Sequence, residues 1–140
     1  MSVGLELRGV EVALDGASVI RALDFAVPAG GVGVLVGPSG AGKSTALRAA
    51  AGLVRPKAGE IRLGGRSVSG PGGEEDPARR RVGFLFQGYA LWPHLTVERH
   101  LRFVLDGARL PRGEQRRRID EVLEPLGLAP LRDRLPESLS

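Results

Sequence analysis

Residues 37–45 read Gly-Pro-Ser-Gly-Ala-Gly-Lys-Ser-Thr, between the apolar run Val32-Gly33-Val34-Leu35-Val36 and the alanine-rich run Ala46-Leu47-Arg48-Ala49-Ala50-Ala51. No other stretch restricts the fold as much. Glycine, four residues, glycine, lysine, then serine or threonine is a pattern that needs a strand before it and a helix after it. Val32–Val36 is apolar on both faces, which predicts a central parallel strand covered by helices. Lys43–Ala51 predicts a helix, and Gly52 stands where a helix-ending glycine belongs.

Each position in the loop has a physical task. Glycines admit left-handed backbone and let the chain approach an anion with no Cβ in the way. Successive N–H groups then form a nest for phosphate oxygens, backed by the positive end of the following helix. Lys43 adds a point charge near the terminal phosphates, and the Ser44 hydroxyl suits a Mg²⁺ ion bound with them. Gly37, Pro38, Ser39, Gly40, Ala41, Gly42, Lys43, Ser44 and Thr45 are therefore the candidate residues for a nucleoside triphosphate. Only two lysines occur in the chain, Lys43 and Lys57, so finding one inside this loop is informative.

Elsewhere the periodicity is local and readable. Val3, Leu5 and Leu7 alternate with polar or small residues, as do Val10, Val12 and Leu14, with a slip at Gly9 that predicts a bulge. Asp15-Gly16 predicts a hairpin turn into a second strand carrying Leu23, Phe25 and Val27. Ile61 and Leu63 predict a short strand ending at Gly64-Gly65. Residues 70–77 read as a polar surface loop, and Val82–Phe86 as another buried strand. Thr96 predicts a helix cap with Glu98 in the first turn and the helix running through Leu105. Ile119, Val122, Leu123 and Leu126 predict one face of a further helix, stopped at Gly127.

A length of 140 residues suits one domain, and no apolar run approaches the roughly 20 residues needed to span a bilayer. No basic-then-apolar leader opens the chain, so a soluble cytoplasmic protein is expected. The absence of cysteine excludes disulfides and thiolate metal sites. A formal charge of +4 invites a nucleic-acid reading. Most arginines are scattered, however, and no aromatic–basic platform accompanies them, so no nucleic-acid partner is expected.

Through these motifs the sequence resembles the nucleotide-binding subunit of ABC transporters over nearly its whole length. The loop at 37–45 is typical of that family. So are the antiparallel sheet before it and Arg55-Pro56-Lys57-Ala58-Gly59-Glu60-Ile61 after the helix. Phe86-Gln87, followed by Tyr89-Ala90-Leu91-Trp92-Pro93-His94-Leu95-Thr96-Val97, is similar to the family's Q-loop, in the wording of its importers. The resemblance implies an α/β fold with a P-loop NTPase core, an N-terminal antiparallel β-subdomain (1–31), the core through the Q-loop (32–95) and a C-terminal helical segment (96–140). It implies ATP and Mg²⁺ as cofactors, with Gln87 coordinating Mg²⁺ and the attacking water. It also implies a transmembrane permease subunit contacting Gln87–Leu95, a second nucleotide-binding subunit, and a peripheral place at the cytoplasmic face of the membrane. His94 is a weak catalytic candidate, His100 is read as structural, and Tyr89 and Trp92 suit an interface or a core equally.

Two positions depart from the family pattern. Leu14 stands where an aromatic residue usually stacks on adenine; Arg8 or Arg21 are possible substitutes. Leu139-Ser140 corresponds to the opening of the signature Leu-Ser-Gly-Gly-Gln, so the reading expects a fragment without the Walker B aspartate and catalytic glutamate. Such a chain is expected to bind ATP without hydrolysing it. The competing readings are a non-catalytic nucleotide-binding or interaction module and another phosphate-loop NTPase. A GTPase is disfavoured because no Asn-Lys-x-Asp string occurs.

Overall fold

A two-residue turn starts the architecture. Asp15 and Gly16 both take positive φ (49° and 80°), the geometry that matches the twist of two paired strands. The strands are β1 (Val3–Leu14) and β2 (Ala17–Pro28), antiparallel, their pairing running with several register shifts from Leu14↔Ala17 to Val3↔Pro28. The computed structural model describes residues 3–108 and 110–139. It divides into two units, Met1–Phe84 and Leu85–Ser140.

In the first unit, α1 (Lys43–Ala51) follows the hairpin, and then β3 (Ala58–Leu63), β4 (Arg66–Gly70) and β5 (Gly73–Glu74). The sheet is antiparallel throughout, in the order β2-β1-β3-β4-β5. The alternation in β1 buries Leu7, Val10 and Val12, which close a core with Ile20, Ile61, Val68 and two α1 alanines, Ala46 and Ala49. Alanine at both helix positions lets the backbone of α1 sit close to β1 and β2.

The register slip falls between Leu7 and Val10, as the sequence predicts at Gly9. The Gly9 N–H donates to Asp24 Oδ1 at 2.8 Å. Gly59 packs against this bulge: at φ +91°, a Cβ there would lie 2.4 Å from the Gly9 oxygen. Two backbones thus meet where no side chain fits.

Two expected strands are absent. Residues 32–36 and 82–86 form no ladder among the described residues, and Val32, Val34 and Val36 are 92%, 73% and 89% exposed. Apolar composition states what a segment prefers to have covered. A strand also needs a partner backbone, and composition does not supply one. The expected loop at 70–77 is also corrected in part. β4 and β5 form a hairpin through Ser69↔Glu74 and Gly70↔Gly73, and Ser69 Oγ donates to Glu74 Oε1 at 2.6 Å.

The second unit contains α2 (Val97–Asp106) and α3 (Arg112–Leu123), which pack on each other. Thr96 caps α2 as predicted, its Oγ1 accepting from Arg99 N–H, while Glu98 occupies the first turn. The remaining early amides are taken by the backbone: Val97 N–H donates to Arg134 O and Glu98 N–H to Arg132 O. On α3, Ile119 and Leu123 are buried as read, but Val122 is 45% exposed and Leu126 lies beyond the helix, 65% exposed. Pro125 has no N–H with which to extend the ladder, so the apolar stripe outruns the helix that carries it.

Candidate functional site

The loop at 37–42 enters α1 without a side-chain cap. Gly42 is the N-cap residue, left-handed at φ 86°, and no side chain accepts from the first-turn amides of α1. Gly40 is also left-handed, at φ 81°. Inside the loop, Ala41 N–H donates to Pro38 O at 3.3 Å, and the helix ladder begins with Ala46 N–H to Gly42 O at 2.8 Å. β2 lies against the turn, because a Cβ on Gly42 would meet Ile20 Cγ1 at 3.0 Å and Val19 O at 3.2 Å. The first turn of α1 carries no acidic residue, so nothing there opposes an approaching anion.

Lys43 folds back over the loop, its Nζ donating to Gly37 O at 2.8 Å and Pro38 O at 2.6 Å. An ammonium has three donors, so one remains for a ligand. Ser44 is exposed beside it, whereas Thr45 is buried at 8% exposure. A hollow of about 650 Å³ reaches Lys43 and Ser44 past Phe25 and Val27. A second, about 270 Å³, reaches Gly42 and Lys43 past Val19 and Arg21. Uncapped amides, left-handed glycines and a tethered ammonium make this a place where an anion of phosphate size fits.

The opposite end of α1 is held by a residue the sequence reading did not single out. Arg80 Nη1 donates to the carbonyls of Ala49 (3.0 Å) and Ala50 (3.1 Å), and Nε to Glu75 O (3.1 Å). Gly52 supplies the predicted left-handed C-cap at φ 82°. In sequence, Arg80 is the middle of three arginines and carries no mark that sets it apart from its neighbours.

Gln87 belongs to the second unit, exposed at the start of a turn through Gly88, Tyr89 and Ala90. Tyr89 and Ala90 are left-handed (φ 59° and 52°), uncommon for side chains of their kind. Tyr89 is 71% and Trp92 42% exposed, so neither is a core residue among the described residues. His94 is exposed, and His100 is engaged by the backbone. Leu14 is 37% exposed at the end of β1. Arg8 is paired with Glu6 at 2.9 Å, and that hydrogen bond raises the arginine above its ordinary pKa. Arg21 is exposed on β2. The described residues contain no group of three or more His, Cys, Asp or Glu side chains that could hold a metal ion. No described helix is long and apolar enough to cross a membrane.

The antiparallel sheet packed on a helix that opens with this loop is a mixed α/β arrangement. The family model described as ABC transporter matches residues 20–140, and the chain belongs to that family. An Fe(3+) ions import ATP-binding protein of Rhodococcus jostii (strain RHA1) is 44% identical, over 100% of this chain and 39% of its own length. An sn-glycerol-3-phosphate import ATP-binding protein of Cereibacter sphaeroides is 41% identical over 97% of this chain and 38% of its own. A sulfate/thiosulfate import ATP-binding protein of Mycobacterium bovis is 42% identical over 84% of this chain and 32% of its own. The chain thus spans between about a third and two fifths of these relatives. Among solved structures, cbiO1 of Clostridium perfringens, part of the ABC transporter complex cbiONQ, superposes with a TM-score of 0.81. It shares 24% identity and is covered over 57% of its length, against 100% of this chain, and the likeness is one of fold.

Proposed function

We propose that this chain supplies the ATP- and Mg²⁺-binding loop of an ABC transporter subunit that couples ATP binding and hydrolysis to solute transport. The observation that carries the reading is the position of Lys43: its ammonium is tied to two loop carbonyls beside the uncapped amides of α1. In this reading amide N–H groups among residues 39–45, with the Lys43 ammonium, would hold the phosphates, and the exposed Ser44 hydroxyl would ligate Mg²⁺. That ion supplies charge neutralisation between phosphate oxygens when bound. Gln87 senses the terminal phosphate. The exposed segment Gln87–Leu95 faces a transmembrane permease, and a second nucleotide-binding subunit completes the assembly at the cytoplasmic face of a membrane. The import ATP-binding relatives support that assignment.

The test is equilibrium binding of ATP with and without Mg²⁺, for the chain and for Lys43→Ala, beside a phosphate-release assay. The reading expects binding that strengthens with Mg²⁺ and is lost, together with any phosphate release, in Lys43→Ala. Equal affinity in both proteins would sink it.

A further inference from the structure

The ring of His100 is engaged at both nitrogens, and its two partners leave it one protonation state. Nδ1 lies 2.9 Å from the carbonyl oxygen of Thr96, and Nε2 lies 2.9 Å from the backbone nitrogen of Trp92. A carbonyl can only accept, so Nδ1 carries the hydrogen. A backbone N–H can only donate, so Nε2 presents its lone pair. Both contacts together require the neutral imidazole with hydrogen on Nδ1.

The rest of the neighbourhood makes this contact a fastening. The Trp92 indole stacks on the imidazole, with centroids 5.7 Å apart and planes at 25°. Phe103, one turn further along α2, meets the indole edge-on at 4.7 Å. The carbonyl of Trp92 accepts from Leu95 N–H at 3.1 Å, so both backbone groups of Trp92 are used. Upstream stand Tyr89 and Ala90 in left-handed backbone, which isolated residues of these types disfavour. The segment is therefore held in shape partly from its far end.

We infer that His100 is a positioning residue that fixes the 88–95 segment only while its ring is neutral, and releases Trp92 on protonation. An imidazolium has hydrogen on both nitrogens, so it faces the Trp92 N–H donor to donor. The Thr96 contact survives protonation and the Trp92 contact does not. The charged groups whose pairing is seen at the start of α2 are Glu98, Arg102 and Arg132. Glu98 is committed to Arg102 at 2.5 Å and Arg132 at 3.6 Å, and among the described residues no carboxylate pairs with the ring. The latch therefore holds while the ring is neutral and opens when Nε2 takes up a proton. The latch rests on its own geometry.

The test uses the full chain and needs no partner. Long-range ¹H–¹⁵N spectra of the histidines report the tautomer directly, and the expected neutral form of His100 has hydrogen on Nδ1. The emission of Trp92, the single tryptophan, is then followed as the pH is lowered stepwise. A sigmoidal change is expected in the wild type and in His94→Asn, and none in His100→Asn, whose side chain does not titrate. Protection of the Trp92 amide from exchange is expected to fall roughly two- to tenfold across the transition. A neutral Nε2–H tautomer, or a transition that persists in His100→Asn, overturns the inference. Far-UV circular dichroism shows whether that variant has kept its helices. Should it unfold, the wild-type tautomer decides alone.

Discussion

Arg80 and Glu74 form an ion pair of unequal burial, Nη2 to Oε2 at 3.1 Å, with the arginine side chain 1% exposed and the glutamate 26%. The guanidinium is thus placed out of water while its counter-ion stays partly in it. Its other donors go to Ala49, Ala50 and Glu75 carbonyls, the first two of which end α1. A cation at the negative end of a helix is favourable, and four neighbouring acceptors offset much of its desolvation. The helix that begins at the phosphate loop is anchored to the β4–β5 hairpin by this one side chain.

Arg80→Ala is expected to lower stability by about 2–4 kcal/mol, because it removes a buried cation that donates to the Ala50 carbonyl and pairs with the Glu74 carboxylate. Arg80→Lys should recover less than half, since an ammonium cannot reproduce the planar fork. Urea unfolding checks this: the midpoint should fall at constant slope. A loss below about 0.5 kcal/mol, the scale of an ordinary surface substitution, would show the anchor to be dispensable.

The bulge at Gly9 separates two glycines that look alike in sequence. At Gly9 (φ +54°) nothing lies within 4 Å of an added Cβ, whereas at Gly59 the Cβ would strike two backbone oxygens, at 2.4 and 2.6 Å. Gly9→Ala should cost about 1 kcal/mol, the left-handed penalty alone. Gly59→Ala should cost at least about 2 kcal/mol more, because backbone cannot step aside as a side chain can. Parallel thermal melts of the two variants measure the difference.

Thr96 serves α2 through two different atoms. Its Oγ1 caps the Arg99 amide, and its carbonyl takes the His100 ring. Thr96→Ala should therefore cost about 1 kcal/mol as a lost cap. It should also leave the tautomer of His100 unchanged in the same ¹⁵N spectra.

Glu114 is held at about 2, well below the ordinary carboxylate value of 4.5, chiefly by the Arg117 hydrogen bond and then by Arg118. A folded-state pKa below the unfolded one means the contribution is whole above about 4.5 and disappears as pH falls through about 2. The side chains are exposed, so salt should weaken the shift. A ¹³C carboxyl titration should place the midpoint near 2 and move it towards 4.5 in Arg117→Ala/Arg118→Ala.

What sequence reading recovered was encoded within a few residues: the Asp15-Gly16 turn, the slip at Gly9, the Gly52 cap and the Thr96 cap. Each depends on one backbone angle or one side-chain oxygen. The misread features depend on distant partners. Val32–Val36 looks like a strand by composition, but a ladder is made between segments. Leu126 continues a stripe whose helix has already stopped at Pro125. Arg80 looks like its two arginine neighbours until the fold carries Ala49 and Ala50 to it. In the candidate site the loop residues were legible because their pattern is contiguous. The engagement of His100 by Trp92 was not, because it depends on how the chain turns at Leu95.

The bare amino end of α1 sets two aims of protein engineering against each other. A designer seeking heat resistance would give that helix a serine or aspartate cap at Gly42, where such residues ordinarily help. Here the added oxygen would satisfy, from within the chain, the amides that the proposed ligand is to meet. It would also force a side chain into left-handed backbone against Ile20. Selection for a firmer helix and selection for a tighter ligand site would therefore drive this residue in opposite directions.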